Sequence, residues 1–182
     1  MKVRDVVIFS GERFEVPQGI QRIDHRATHG WQLRYGGTKL FSDGSPDGSG
    51  ASEALAHATR ELLARIARLP APSRLQRVPN ENKTTDLPVG ISGPIVRLRS
   101  GAKVHDCSLS VSIPRFGDSP RRCSVYIGTE NTYTPEKYEA ALARAIKLRL
   151  QAETAYQRAA TRAKRAAASE LAAPAPRRRA KR

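Results

Sequence analysis

Residues 108–145 read SLSVSIPRFGDSPRRCSVYIGTENTYTPEKYEAALARA, and this stretch decides the fold. Ser108-Leu109-Ser110-Val111-Ser112-Ile113 alternates at period two, so Leu109, Val111 and Ile113 face one side of a strand and the serines the other. Pro114 to Arg122 reads as a basic hairpin tip, and Ser124-Val125-Tyr126-Ile127-Gly128-Thr129 as the returning strand. Thr134-Pro135-Glu136 places a capping hydroxyl, a proline at the first helical position and an acid in the first turn, the start of a helix. Upstream, Ile95-Val96-Arg97-Leu98-Arg99 adds a strand with Val96 and Leu98 on one side, Arg97 and Arg99 on the other. One three-stranded antiparallel sheet packed on one helix accounts for every apolar position in the segment.

The same order occurs earlier in the chain. Pro17, Gly19 and Ile20 open a first copy that closes on Ala54, Leu55 and Ala58; Pro88, Gly90 and Ile91 open a second that closes on Ala141, Leu142 and Ala145. The openings are 71 residues apart and the closings 87, so the second copy carries about sixteen extra residues, placed most economically in its hairpin. In the first copy Trp31, Leu33 and Tyr35 share one strand face and Gln32 and Arg34 the other. Gly36 and Gly37 turn the chain into Lys39-Leu40-Phe41. A Gly/Ser/Pro/Asp loop follows, and Ser52 with Glu53 starts a helix whose apolar side is Leu55, Thr59, Leu62, Leu63 and Ile66. The shared strand parity of Trp31 and Leu33 makes the tryptophan a core residue.

Outside the repeats, residues 3–9 and 13–16 read as a short β-hairpin leading into the first copy. Residues 70–87 carry Pro70, Pro72, Pro79, Asn80 and Asn82 with almost no apolar periodicity, the signature of an exposed linker. Fully extended it reaches roughly 55 Å. Good helix formers carry the second helix to about Ala168, its distal half polar on every side, until Pro174 and Pro176 stop it. The expected organisation is an α+β chain of two tandem modules, each a three-stranded antiparallel sheet on one helix. Its divisions are 1–69 (hairpin and first module), 70–87 (linker), 88–150 (second module) and 151–182 (basic helical extension and disordered tail).

Charge narrows the partner. The 182 residues carry 32 Lys and Arg against 17 Asp and Glu, a formal charge of +15, with a pI near 10.7. Neutralising a polyanion's phosphates releases condensed counterions, so nucleic acid is the expected partner class. Residues 135–182 hold thirteen Lys and Arg against four Glu, a surplus of nine, and end in RRRAKR. They read as a sequence-neutral clamp on DNA, flexible until bound. No apolar run approaches the roughly 20 residues that span a bilayer, and the N-terminus lacks a signal peptide's apolar core. A cytoplasmic, nucleoid-associated location with no membrane partner is expected.

No catalytic pattern is present in the sequence. There is no Walker loop, dinucleotide fingerprint, paired-His metal motif or nucleophile elbow, so a non-enzymatic protein without cofactor or metal is expected. Cys107 and Cys123 make no zinc spacing and read as small strand residues kept reduced. His25, His29, His57 and His105 form neither a metal spacing nor a triad.

SVYIGTENTYTPEKYEAALARA, residues 124–145, resembles the third strand, Gly-Thr turn and Ala-rich helix of the AP2-type DNA-binding domain. Gly90-Ile91 is similar to the Gly-aliphatic pair of that family's first strand, GWQLR (30–34) to its second strand, and ASEALAHA (51–58) to its helix. The matches cover around 110 of the 182 residues. Where the family carries an arginine after the Gly-aliphatic pair, this chain has Gln21 and Ser92, and the first copy lacks the Ile-Gly-Thr strand end. The resemblance implies that the sheet face away from the helix enters the major groove, with Tyr126 at an aromatic DNA-facing position and Arg34 at a basic one.

The residues lead to the same face, because a three-stranded sheet with one helix buries one surface only. Gln32 and Arg34 in the first copy and Arg97, Arg99, Ser108, Ser110, Ser112 and Tyr126 in the second are the expected sheet-face contacts to double-stranded DNA. Lys39, Arg115, Arg121 and Arg122 at hairpin tips, with Arg162, Lys164, Arg165, Arg177, Arg178 and Arg179 on the extension and tail, suit phosphates. The expected role is transcriptional regulation of bacterial, phage or mobile-element genes. Three alternatives stand beside it: a sequence-neutral nucleoid protein, an RNA-binding protein, and a protein-interaction module whose degenerate first repeat has become a surface for dimerisation or for contact with RNA polymerase or a regulatory partner.

Overall fold

A computed structural model describes residues 1–26 and 28–172. Over the described residues the fold is α+β, with antiparallel sheets of two, three and three strands and two helices. It divides into two compact units, Met1–Pro72 with residues from Thr161 onward, and Ser73–Ala160. The segment expected as a linker therefore parts at Pro72, and most of it belongs to the second unit. Among the described residues no helix is long and apolar enough to cross a membrane.

In the first unit, β1 (Val3–Val7) and β2 (Arg13–Pro17) form a hairpin, and β3 (Ile20–His25), β4 (Thr28–Arg34) and β5 (Thr38–Ser42) form a meander in that order. Helix α1 (Ala51–Arg68) packs on it. Trp31 and Leu33 are fully buried against Ala54, Ala58, Leu62 and Ile66 of α1, each large side chain contributing about 1.5–3 kcal/mol by leaving water. The indole Nε1 donates 2.7 Å to the Ala51 carbonyl, so no polar atom of Trp31 is stranded. Phe14 of the hairpin meets the Trp31 ring edge-on at 5.5 Å. The helix begins one residue before Ser52, with Gly50 at N-cap and no side-chain cap. Glycine is required there because the Asp43 carbonyl oxygen lies 1.8 Å from where a Cβ would stand.

An ion cluster holds the loop after β5. Arg22 pairs with Trp31 in register and so faces the helix side. Its terminal nitrogens reach the two Asp43 carboxylate oxygens at 2.9 and 2.6 Å, its Nε reaches Asp24 at 2.9 Å, and its guanidinium lies 5.0 Å from the Trp31 ring. His29 Nδ1 is 3.0 Å from the same Asp24 oxygen. Burial works against the charge on Asp24, but the bonds to Arg22 and His29 outweigh it and hold this carboxyl below its ordinary value of 3.8. Because the folded value is the depressed one, its stabilisation is complete above the ordinary value and is lost as pH falls through the lower folded value. Thermal melts between about pH 2 and 6 are expected to show an acid loss of stability that is smaller in Asp24→Asn. Identical acid profiles for the two proteins would contradict this.

The last turns of α2 (Pro135–Ala172) also belong to the first unit. Ala168 is buried in its core, the Thr161 hydroxyl accepts from the Ala71 amide at 3.1 Å, and the Arg165 Nε donates to the Ile66 carbonyl at 3.4 Å. Lys164 sits beside Met1 and 5.9 Å from the Tyr35 ring, where burial lowers its pKa. The part of that stretch from Thr161 to Ala172, expected to be polar all round and flexible until bound, is thus packed. Its alanines, weak as a periodic signal, are small enough to let the helix approach the core closely.

In the second unit, β6 (Ile91–Leu98), β7 (His105–Ile113) and β8 (Arg121–Thr129) form the third sheet, in that order. Leu109, Val111, Ile91 and Ile127 pack against Ala141 and Ala145 of α2. Alternation counted from the buried Ile91 would turn Arg97 inward, but a bulge between Ser92 and Ile95 shifts the phase. Ile95 and Arg97 then pair with Ser108 and Asp106 on the outer face. Val96 and Leu98 have the helix-side parity but are 61% and 56% exposed, at the end of β6 that the helix leaves uncovered. Thr134 caps α2 as expected, its Oγ1 accepting from the Lys137 amide, and its bond to Glu136 holds that carboxyl below its ordinary range.

The two three-stranded sheets share one type of backbone hydrogen bond at their openings. Gly19 and Gly90, both at positive φ, each offer a carbonyl to the central strand of the following sheet, to the amides of Arg34 and Ser112, both at 2.7 Å. The following Ile20 and Ile91 are buried. Leu62 packs beneath Gly19, and Arg149, 87 residues later, packs beneath Gly90. Arg149 is buried with its guanidinium bonded to the Ser112 carbonyl and to Glu153.

Candidate nucleic-acid interface

The outer face of each three-stranded sheet, away from its helix, is built by strand register. In the first unit Gln32 lies opposite Gln21 on β3 and Leu40 on β5, and Arg34 lies opposite Thr38. Arg34 Nε donates to Gln32 Oε1 at 2.5 Å, so the two expected contacts are joined on one surface. Lys39, expected beside them as a phosphate contact, has the opposite parity. It pairs with Leu33, and its ammonium lies 5.0 Å from the Phe41 ring.

In the second unit Ser108, Ser110 and Ser112 face outward on β7, opposite Tyr126, Ser124 and Arg122 of β8. Tyr126 is 48% exposed. The serines, Arg97 and Arg122 line one groove of about 1040 Å³, to which Gln76, Asn80 and Lys83 of the preceding segment add polar side chains. Arg99 lies one residue past β6 with its Nε 2.5 Å from Asp106, so part of its charge is met on the protein. Arg121 pairs with Ile113 and has helix-side parity, unlike its neighbour Arg122. Arg115 is held within the hairpin by Asp118 at 2.7 Å and the Ser119 carbonyl at 3.1 Å.

Overlaying the registers yields a correspondence hidden in the linear sequence. Leu33 pairs with Ile20 as Val111 pairs with Ile91, so Arg34 corresponds to Ser112 and Thr38 to Arg122. Each outer face carries one arginine at the same rung, on the central strand in one copy and on the third strand in the other. Gln21, Ser92 and Ser124 are face residues not counted among the expected contacts. The outward parity of Gln21 and Ser92 follows from the buried isoleucine before each.

Of the other expected contacts, Arg162 is exposed on α2, and Lys164 and Arg165 engage the first unit as described. Arg177, Arg178 and Arg179 lie outside the described residues. Cys107 and Cys123 are free thiols on neighbouring strands at different rungs, opposite Gly128 and Val111. Three histidines meet carboxylates, His29 with Asp24, His57 with Glu53 and His105 with Glu130. Among the described residues no group of three or more His, Cys, Asp or Glu is placed to hold a metal ion.

Comparison with family models, with curated proteins and with solved structures finds no match to this chain. The AP2-type resemblance therefore rests on the chain's own residues.

Proposed function

We propose that this chain is a non-enzymatic double-stranded DNA-binding protein, a transcriptional regulator of bacterial, phage or mobile-element genes built from two AP2-like modules. The observation that carries the reading is the arginine at the same rung of both outer faces, Arg34 and Arg122, with uncharged hydrogen-bonding side chains as strand neighbours on the face, Gln32 and Thr38 beside Arg34, and Ser112 and Ser124 beside Arg122. An arginine surrounded by Gln or Ser is suited to base edges, since the guanidinium donates two bonds to guanine and Gln bonds adenine twice. A face meant only for phosphates would gain more from a higher density of cations. The strongly basic chain supplies the sequence-neutral attraction that brings such faces to DNA.

The test is selection from a random duplex library with the full chain beside a variant in which Arg177, Arg178 and Arg179 are all glutamine. Truncation before Thr161 is unsuitable because Ala168 is part of the first unit's core. A discrete motif enriched by both proteins is the expected result, with weaker binding by the variant at physiological salt. Binding without any motif would make the protein architectural, and preference for single strands would make it an RNA or single-strand binder.

A further inference from the structure

Beside the outer face of the first unit lies a cleft of about 410 Å³ that the repeat does not account for. Three cations line it, Lys2 just before β1, Arg4 from β1 and Arg34 from β4, together with Gln18 and Gln21, and no Asp or Glu is among its lining residues. The backbone holds the contributing segments together. The Gln18 amide donates to the Lys2 carbonyl at 2.9 Å and the Arg34 amide to the Gly19 carbonyl at 2.7 Å. Arg4 gives one terminal nitrogen to the Ile20 carbonyl at 3.2 Å, and Arg34 gives its Nε to Gln32, which leaves further donors on each guanidinium.

Three like charges around one concavity repel each other, and their field is focused into it. An oxyanion in the cleft relieves that repulsion and takes charge-assisted bonds from both guanidinium groups. We infer that Lys2, Arg4 and Arg34 form a phosphate-binding cleft that holds a backbone phosphate of the duplex lying on the adjoining sheet face. The N-terminal hairpin is then part of the binding surface, and Arg34 stands where base contact and phosphate contact meet. The duplex assignment rests on the proposed function, whereas the cleft's affinity for a phosphate oxyanion does not.

Two measurements on the full chain separate these. In the first, duplex affinity is followed against salt for the wild type, for Lys2→Gln with Arg4→Gln, and for the charge-keeping Lys2→Arg with Arg4→Lys. Loss of that one phosphate contact lowers the slope of log K against log salt by about 0.9. The Gln pair is expected to show that drop with the selected motif unchanged, and the charge-keeping pair to match the wild type. In the second, inorganic phosphate is titrated against the backbone amide spectrum. Saturable shifts at Val3, Arg4, Gly19 and Gln21 are expected in the wild type and absent in the Gln pair.

No phosphate shifts, or shifts that persist in the Gln pair, would overturn the cleft. Phosphate shifts with an unchanged salt slope would make it a free-anion site and overturn the backbone assignment. If no duplex is bound at all, the sheet-face reading and the backbone assignment fail together, while the phosphate titration still decides whether the cleft takes the oxyanion.

Discussion

A chain carrying Arg34→Ala together with Arg122→Ala is expected to keep its fold and lose selective binding, by about 2–6 kcal/mol or roughly 30- to 10⁴-fold on its selected duplex. Each arginine that reads a base is worth about 1–3 kcal/mol of discrimination, and contributions from separate, independent sites add. Arg34 is exposed with its side chain bonded to Gln32, and Arg122 is exposed on the third strand, so neither truncation opens a core. Competition titrations with the selected duplex and a shuffled one check this. The double variant should bind both alike, with its residual affinity still falling as salt rises. Undiminished preference for the selected site would remove the sheet faces from sequence recognition.

Asp43→Ala is expected to destabilise the first unit by about 3–5 kcal/mol, because it leaves the Arg22 guanidinium buried without its bidentate partner. The Arg22 and Asp43 side chains are 7% and 0% exposed, so water does not replace the lost carboxylate. The midpoint of thermal unfolding should fall by more than about 10 °C. Arg22→Met combined with Asp43→Leu should recover part of that loss, since removing both charges also removes both desolvation costs while Asp24 loses Arg22 and keeps His29. Calorimetry on the single and double variants tests the pair. A single variant within about 1 kcal/mol of the wild type would show that Asp43 is dispensable to the loop.

These two sites differ in how far the linear chain discloses them. The outward placement of Gln32 and Arg34 follows from period two alone, because Trp31 and Leu33 must be inside. The Arg22–Asp43 pair is foreshadowed only by a cation at an inward position, two residues after Ile20. Its partner is twenty-one residues away in a Gly- and Ser-rich loop, where no periodicity operates. Arg97 comes out on the outer side of β6 for a reason the pattern does not contain, the bulge between Ser92 and Ile95. Lys39 and Arg121 show the limit of reading hairpin tips as uniform cationic clusters. Adjacent residues on a strand point to opposite faces, and register decides which one reaches the outer surface.

By itself, the sequence determined the α+β class, the strands of the two three-stranded sheets, and the inner face of each central strand. Those depend on local periodicity, on turn residues and on a capped helix start, all of which act over a few positions. Only the tertiary structure decided that the far end of α2 packs into the first unit, that Arg149 takes the place of Leu62 in the second copy, and that Arg34 and Arg122 share a rung. It also decided that Lys2 and Arg4 join Arg34 around one cleft. Each of these joins residues far apart in the chain through strand register, bulges and close packing of small side chains, which local periodicity does not encode.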